Sequence, residues 1–233
     1  MLVQITDSHV TREDTASVAA LREVVAGIRA LPLTPAAVLF SGDITHEGDA
    51  SDYAFVRELL EPIEAPVYAI PGNHDDPALV YEAFGRPGEA EVAGFRLLLC
   101  DTHLPGTDAG SIDLDDLAGR LAGDERPTVV AMHHPPLRTG IPQIDEFALP
   151  AAERAALAEL LAASPQVLRV LCGHVHRITF ETLGGCGIFT GPAAYQQIEP
   201  GPELGTLAFV ERGRAYAIHT YVGGALVSQI QPV

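Results

Sequence analysis

Short runs of continuous apolar residues alternate with amphipathic segments along most of this chain, and the runs share a feature at their ends. Residues 2–6, 36–40, 67–70, 128–132 and 167–171 are such runs, the pattern of strands buried on both faces. Between the early ones the spacing becomes helical. Val18, Leu21, Val24, Val25 and Ile28 form one stripe behind a capping Asp14 or Thr15, with Pro32 and Pro35 as the stop. Tyr53, Val56, Leu59 and Leu60 form a second behind Asp49, ended by Pro62, and Asp76-Pro77 opens a third. Three strand–loop–helix units in succession predict parallel strands joined by crossover helices. In sheets of that kind ligands bind at the C-terminal strand edge.

The later pattern is less regular. Residues 91–93, Gly94 and residues 95–100 predict a hairpin, Leu114, Leu117 and Leu121 a modest helix, and residues 150–163 another helix. Residues 137–149 are rich in Pro and Gly, which predicts a lid or rim over a pocket. After His176 come short strands with Gly-rich turns, over residues 178–183, 186–190, 206–211 and 215–220, read as an antiparallel meander or paired hairpins. The tail 221–233 is expected to pack on the sheet or on a partner chain. With no repeat, low-complexity tract or linker, the expectation is a single α/β domain over residues 1–233, for which 47% hydrophobic content supplies an ample core.

Charge narrows the partners. Fourteen basic against 31 acidic residues give a formal net charge of −17, which repels duplex nucleic acid and anionic lipid, so neither is expected to bind. Bound divalent cations would invert that field locally and admit an anionic ligand. Cys100, Cys172 and Cys186 have no CxxC spacing and leave one thiol over in any pairing, which predicts reduced core cysteines in a cytoplasmic protein. The opening residues lack a basic segment followed by an apolar one, and no stretch approaches 18 apolar residues, so secretion and membrane spanning are not expected.

The candidate chemistry lies where the apolar runs stop. They exit into Asp7-Ser8-His9, Gly42-Asp43, Gly72-Asn73-His74-Asp75, His133-His134-Pro135-Pro136 and Gly173-His174-Val175-His176. Oxygen and nitrogen ligands without a thiolate suit Mn, Fe or Zn. So many donors exceed the needs of one tetrahedral ion and match two ions sharing a carboxylate. Two ions about 3.5–4 Å apart can clamp both oxygens of an in-line displacement at phosphorus.

These five blocks, in this order, resemble the calcineurin-like metallophosphoesterase superfamily over about residues 2–200. Gln4-Ile5-Thr6-Asp7, His133-His134-Pro135-Pro136 with Gly140-Ile141 and Ile144-Asp145, and Cys172-Gly173-His174-Val175-His176-Arg177 are most similar to its class III cyclic-nucleotide phosphodiesterase group, which includes glycerophosphodiesterases. The resemblance implies a four-layer αββα sandwich of two mixed sheets. It also implies that two divalent ions (Mn, Fe or Zn) are held, one by Asp7, His9 and His176 and one by Asn73, His133 and His174, with Asp43 bridging. His74 would contact the phosphoryl oxygen or the leaving group from outside the metal shell, as a hydrogen-bond donor or proton source. A water or hydroxide between the ions would be the in-line nucleophile.

The implied activity is hydrolysis of a small phosphodiester, with 3′,5′-cyclic nucleotides such as cAMP first. Glycerophosphodiesters stand close behind, and phosphomonoesterase or nucleotide pyrophosphatase action is the other enzymatic reading. A non-enzymatic scaffold is the reading from another class, but scaffolds on this fold typically lose metal-ligand residues, and none is lost here. Relatives of this group commonly dimerise, so a homodimer is allowed, although the chain ends soon after its last strand. Lesser expectations concern His46 and His103 as residues near the pocket, His134 as a structural neighbour of His133, and His219 as a sheet residue. Arg177 would serve a salt bridge or the rim, Asp145 a base, sugar or water, Asp75 either His74 or a helix cap, and Tyr195 and Gln196 the pocket wall.

Overall fold

The computed structural model describes residues 1–86, 88–200 and 206–233. In chain order its elements are β1 (Leu2–Ile5), α1 (Thr15–Arg29), β2 (Ala37–Ser41), α2 (Ala50–Leu60), β3 (Val67–Ile70), α3 (Pro77–Phe84), β4 (Glu89–Val92), β5 (Phe95–Leu99) and α4 (Leu114–Leu121). Then follow β6 (Thr128–Ala131), α5 (Pro142–Asp145), α6 (Ala151–Ala162), β7 (Val167–Cys172), β8 (Thr179–Leu183), β9 (Cys186–Thr190), β10 (Gln197–Pro200), β11 (Leu207–Val210), β12 (Ala215–Val222) and β13 (Ala225–Pro232). One sheet runs β13-β12-β1-β2-β3, a second β4-β5-β6-β7-β9-β8, and β10-β11 form a separate ribbon. Both large sheets are mixed: β1, β2 and β3 are mutually parallel, as are β5, β6, β7 and β9, with antiparallel strands at the edges.

Strand alternation builds the four layers. Val3, Ile5, Val38 and Phe40 face α1 and α2 and pack with Leu21 and Val56. Their neighbours Leu2, Ala37 and Leu39 face the other way, onto Leu97, Val129, Leu171 and Phe189 of the second sheet. Leu98, Val130 and Val170 then meet Leu117 of α4 and Leu157 of α6. Central strands covered on both faces have no polar side to show, which is why they read as continuous apolar runs. Polar side chains also enter the layer between the sheets. Gln4, buried, donates to Ser41 Oγ (2.8 Å) and to the Cys172 carbonyl (2.9 Å), and its Oε1 lies 3.1 Å from His219 Nε2, whose other nitrogen is 2.8 Å from Ser228 Oγ.

The predicted caps are in place. Asp14 accepts from Ala16 and Ser17, Asp49 from Ser51, and Asp76 from Ala78 and Leu79 with Pro77 at the start of α3. The three cysteines are free and buried. Among the described residues no helix is long and apolar enough to cross a membrane.

Beyond His176 the chain forms paired hairpins, β8 with β9, β10 with β11 and β12 with β13, rather than a meander. β9 crosses over to pair parallel with β7, β11 pairs with β10 outside both sheets, and the tail forms β13 on β12. Hydrophobic period identifies strands but not their partners, so the parallel crossover was not legible. Ile198 is the one strongly apolar residue in β10, too little for the pattern to mark it.

Candidate metal centre

The C-terminal strand ends of both sheets meet at one edge. The loops after β1, β2 and β3 deliver Asp7, His9, Asp43, Asn73 and His74, and those after β6 and β7 deliver His133, His174 and His176. Among the described residues, six non-glycines have positive φ. Five are Asp7 (52°), His9 (43°), Asp43 (50°), His174 (71°) and His176 (51°); the other is Ala93 in the β4–β5 turn. Each such placement costs about 1 kcal/mol or more, and Asp and His bear it better than branched residues. The left-handed turns bend the backbone just past the strand, so that both side chains of Asp7-Ser8-His9 and of His174-Val175-His176 reach one centre.

The donors fall into two groups that share one carboxylate. In the first, His9 Nε2 lies 3.0 Å from His176 Nε2 and 3.5 Å from Asp43 Oδ2, and His176 Nε2 lies 3.5 Å from Asp7 Oδ1. In the second, Asn73 Oδ1 lies 3.2 Å from His133 Nε2 and 3.0 Å from His174 Nδ1. Asp43 Oδ2 is also 3.4 Å from His133 Nε2, and so adjoins both groups. Donors 3.0–3.5 Å apart have the spacing of ligands around one ion with bonds of about 2.0–2.2 Å. The residues present therefore fit divalent cations.

Backbone acceptors fix the rings. His133 Nδ1 is held by the Ser41 carbonyl (2.8 Å) and His176 Nδ1 by that of Gln196 (2.7 Å), which turns each Nε2 inward. Both Asp7 oxygens accept from the His174 N–H (3.0 and 3.1 Å), and Asp43 Oδ1 accepts from the His74 N–H (3.0 Å). Gly72 lets these loops touch: a Cβ there would overlap Asp43 Oδ1 and its backbone nitrogen.

Without metal the centre is ionically uneven. Burial opposes charge on Asp43, but the neighbouring His133 and His9 hold its carboxyl well below the usual range. Burial pulls His133 down, yet Asp43 and then Asp7 outweigh it and lift the imidazole to about 9. Burial lowers His9, and lowers His174 to about 3, leaving both rings neutral, while it raises Asp7. A cation must displace the His133 proton, since a protonated ring has no lone pair for it. Apparent Mn²⁺ affinity should therefore climb with pH up to about 9, by about tenfold per unit from this group. Metal titrations from pH 6 to 10 check this, and a flat profile would contradict it. The stabilising His133–Asp43 pair of the metal-free protein runs the opposite way. It is complete below the ordinary imidazole value of 6.5 and lost as pH rises through about 9.

A cavity of about 700 Å³ opens over the centre, lined by His9, Asp43, Asn73, His74, His174 and His176 on one side. Tyr195 and Gln196 line it as expected, and so does His46. His46 stacks on His74 (centroids 4.9 Å apart, 19° between planes), with its Nδ1 3.5 Å from His9 Nδ1, and its carbonyl lies 3.0 Å from His74 Nδ1. His134 is buried beside His133, bonded to Thr102 (2.8 Å), and His219 is buried in β12. His103 and Arg177 do not join the cavity wall.

Two assignments are corrected. Asp75 neither orients His74 nor caps α3. It accepts from the N–H groups of Gly72, Ile44 and Thr45 and from Tyr53 Oη (3.0 Å), tying the Asp43 loop to the Asn73 loop. Asp145 accepts from Thr139 and Gly140 and so shapes its own rim segment. The carbonyls of Ser41, His46 and Gln196 were missed, because every residue carries one and only the fold shows which point at a ring.

Residues 1–177 match the calcineurin-like phosphoesterase family. The chain is 32% identical over 218 residues to a probable cyclic nucleotide phosphodiesterase of Synechococcus sp., covering 87% of this chain and 83% of that one. It is 33% identical over 193 residues to the glycerophosphodiester phosphodiesterase GpdQ of Enterobacter lignolyticus, covering 76% and 68% respectively. A dimetal phosphatase from Danio rerio superposes with a TM-score of 0.75 at 13% identity, over 99% of this chain and 95% of the other, which is a likeness of fold.

Proposed function

The chain belongs to the calcineurin-like phosphoesterase family, and from that premise we propose a dinuclear enzyme that hydrolyses small phosphodiesters, with 3′,5′-cyclic nucleotides foremost. The observation that carries this reading is the position of Asp43 Oδ2, within 3.5 Å of His9 and 3.4 Å of His133, between two sets of cation donors. Asp7, His9 and His176 would hold one divalent ion and Asn73, His133 and His174 the other, with Asp43 serving both. Such ions supply Lewis acidity at phosphorus and an ionised water near neutral pH. Asn73 contributes a neutral carbonyl, which leaves its ion the more electron-poor.

The remaining chemistry falls to His74. With Nδ1 set against the His46 carbonyl at 3.0 Å, its Nε2 is the nitrogen available to the cavity. From there the ring can hydrogen-bond the phosphoryl oxygen or protonate the departing alkoxide. The His74→Ala variant should keep its metal and lose about 10²–10³-fold in kcat for esters with poor leaving groups, while p-nitrophenolate esters fall far less. Metal analysis beside a leaving-group series tests this; intact kcat with lost metal would reject the role.

Similarity to the glycerophosphodiester phosphodiesterase supports a second substrate, a glycerophosphodiester, at the same centre. The deciding experiment is turnover with added Mn²⁺ on cyclic AMP, a glycerophosphodiester, bis(p-nitrophenyl) phosphate and p-nitrophenyl phosphate. Preference for the monoester over both natural diesters would overturn the diesterase reading.

A further inference from the structure

The cavity over the centre has a second, unlike wall. Ile144 and Phe147 from the rim segment and Ile198, Leu207 and Phe209 from the β10–β11 ribbon line it. In the ribbon Ile198 lies opposite Phe209, and Leu207 precedes Phe209 by two residues, so the three share one face. Ile144, Val175 and Ile198 are buried together, with Leu207 packed against them. This small core ties the ribbon and the rim to the loop between His174 and His176. On that fixed base two aromatic rings stand outside the packing: Phe209 is 59% exposed and Phe147 37% exposed. Phe209 also meets His176 edge to face, with centroids 5.6 Å apart and planes at 86°, which holds it one ring contact from the first ion's donors.

We propose that this wall receives a planar aromatic group on the substrate, with Phe209 as its stacking platform, so that the enzyme selects diesters bearing a nucleobase or aryl arm over those with polyol arms. The proposal rests on the phosphodiesterase reading above and adds what that reading leaves open, the choice between the two natural diesters. A phosphate at the centre would put a nucleoside's ring within reach of Phe209. A glycerol arm laid against those five side chains would instead set hydroxyls against carbon and lose their water without replacement. Stacking of a base on an aromatic ring is favourable and tolerant of which base is present.

The test compares adenosine 5′-monophosphate with glycerol 3-phosphate by calorimetry on Mn²⁺-loaded protein. Both carry the same phosphate monoester, so the contribution of the metals cancels. The natural chain should bind the nucleotide at least about tenfold more tightly, the order that one aromatic platform supplies. Phe209→Ala should remove most of that preference by weakening nucleotide binding alone, and Phe209→Tyr should keep it. Equal affinities in the natural chain, or a preference that survives Phe209→Ala, would overturn the aromatic subsite and leave the diesterase reading standing. If neither compound binds to protein that holds its metal, the diesterase reading fails and this proposal with it.

Discussion

Replacing Asp43 with alanine should release divalent metal and cut diester turnover by at least about 10³-fold, since losing a mere outer-shell partner of a metal ligand already costs about 10–100-fold. Among the described residues it is the carboxylate within 3.5 Å of both His9 and His133, so its removal undoes both donor groups together. Its other oxygen holds the His74 N–H at 3.0 Å, and the Asn73 loop loosens too. The alanine variant also leaves His133 buried without the charge that lifts its pKa to about 9, so that ring becomes neutral at ordinary pH. Asp43→Asn separates charge from position, because the amide oxygen can still accept from His74 while the negative charge is gone. Metal content and turnover should fall in both variants. Two retained ions together with more than about a tenth of the rate would refute the bridging role.

Gly72→Ala should be nearly as damaging, although no atom of Gly72 is a ligand. Its Cβ would overlap Asp43 Oδ1 and backbone nitrogen and stand 2.8 Å from the carboxyl carbon. Backbone cannot yield as the end of a flexible side chain can, so the two loops must part. We expect a loss of about 3 kcal/mol in unfolding free energy, at the upper end of what overpacking costs, along with loss of metal. Gly119→Ala is the matched control. That helical position has nothing within 4 Å of the added carbon, and the change should raise stability by up to about 1 kcal/mol. Denaturant midpoints and metal content measure both; a Gly72→Ala variant as stable and as metallated as the natural chain would show that the loops adapt.

Much of this was legible in the sequence, for physical reasons that also mark where legibility stops. Strands covered on both faces have to be apolar throughout, so Asp7, Asp43, Asn73, His133 and His174 stood out as abrupt polar ends to apolar runs. Helix caps are read from a few adjacent residues, and Asp14, Asp49 and Asp76 cap as their spacing predicts. Pairing is not local. Nothing near Cys186 reveals that its strand lies parallel to β7, and the four residues of α5 are too few to display a period. The role of Asp75 is not legible in the sequence because its partners, Gly72, Ile44, Thr45 and Tyr53, are two backbone segments and a helix side chain that the fold alone brings together. The apolar wall escaped notice since Phe147 and Phe209 lie in segments where single apolar residues are ordinary.

The donors of the candidate metal centre are divided between two sheets, and that division makes the Gln4 hydrogen bonds matter beyond their number. Oily contact has no preferred direction, so two apolar layers could glide past one another by a fraction of a residue at small expense. The amide of Gln4 catches Ser41, two residues before Asp43, and Cys172, two residues before His174, and is itself steadied by His219. It works as a dowel through a laminate, and the alignment of one edge is set by a peg driven in behind it.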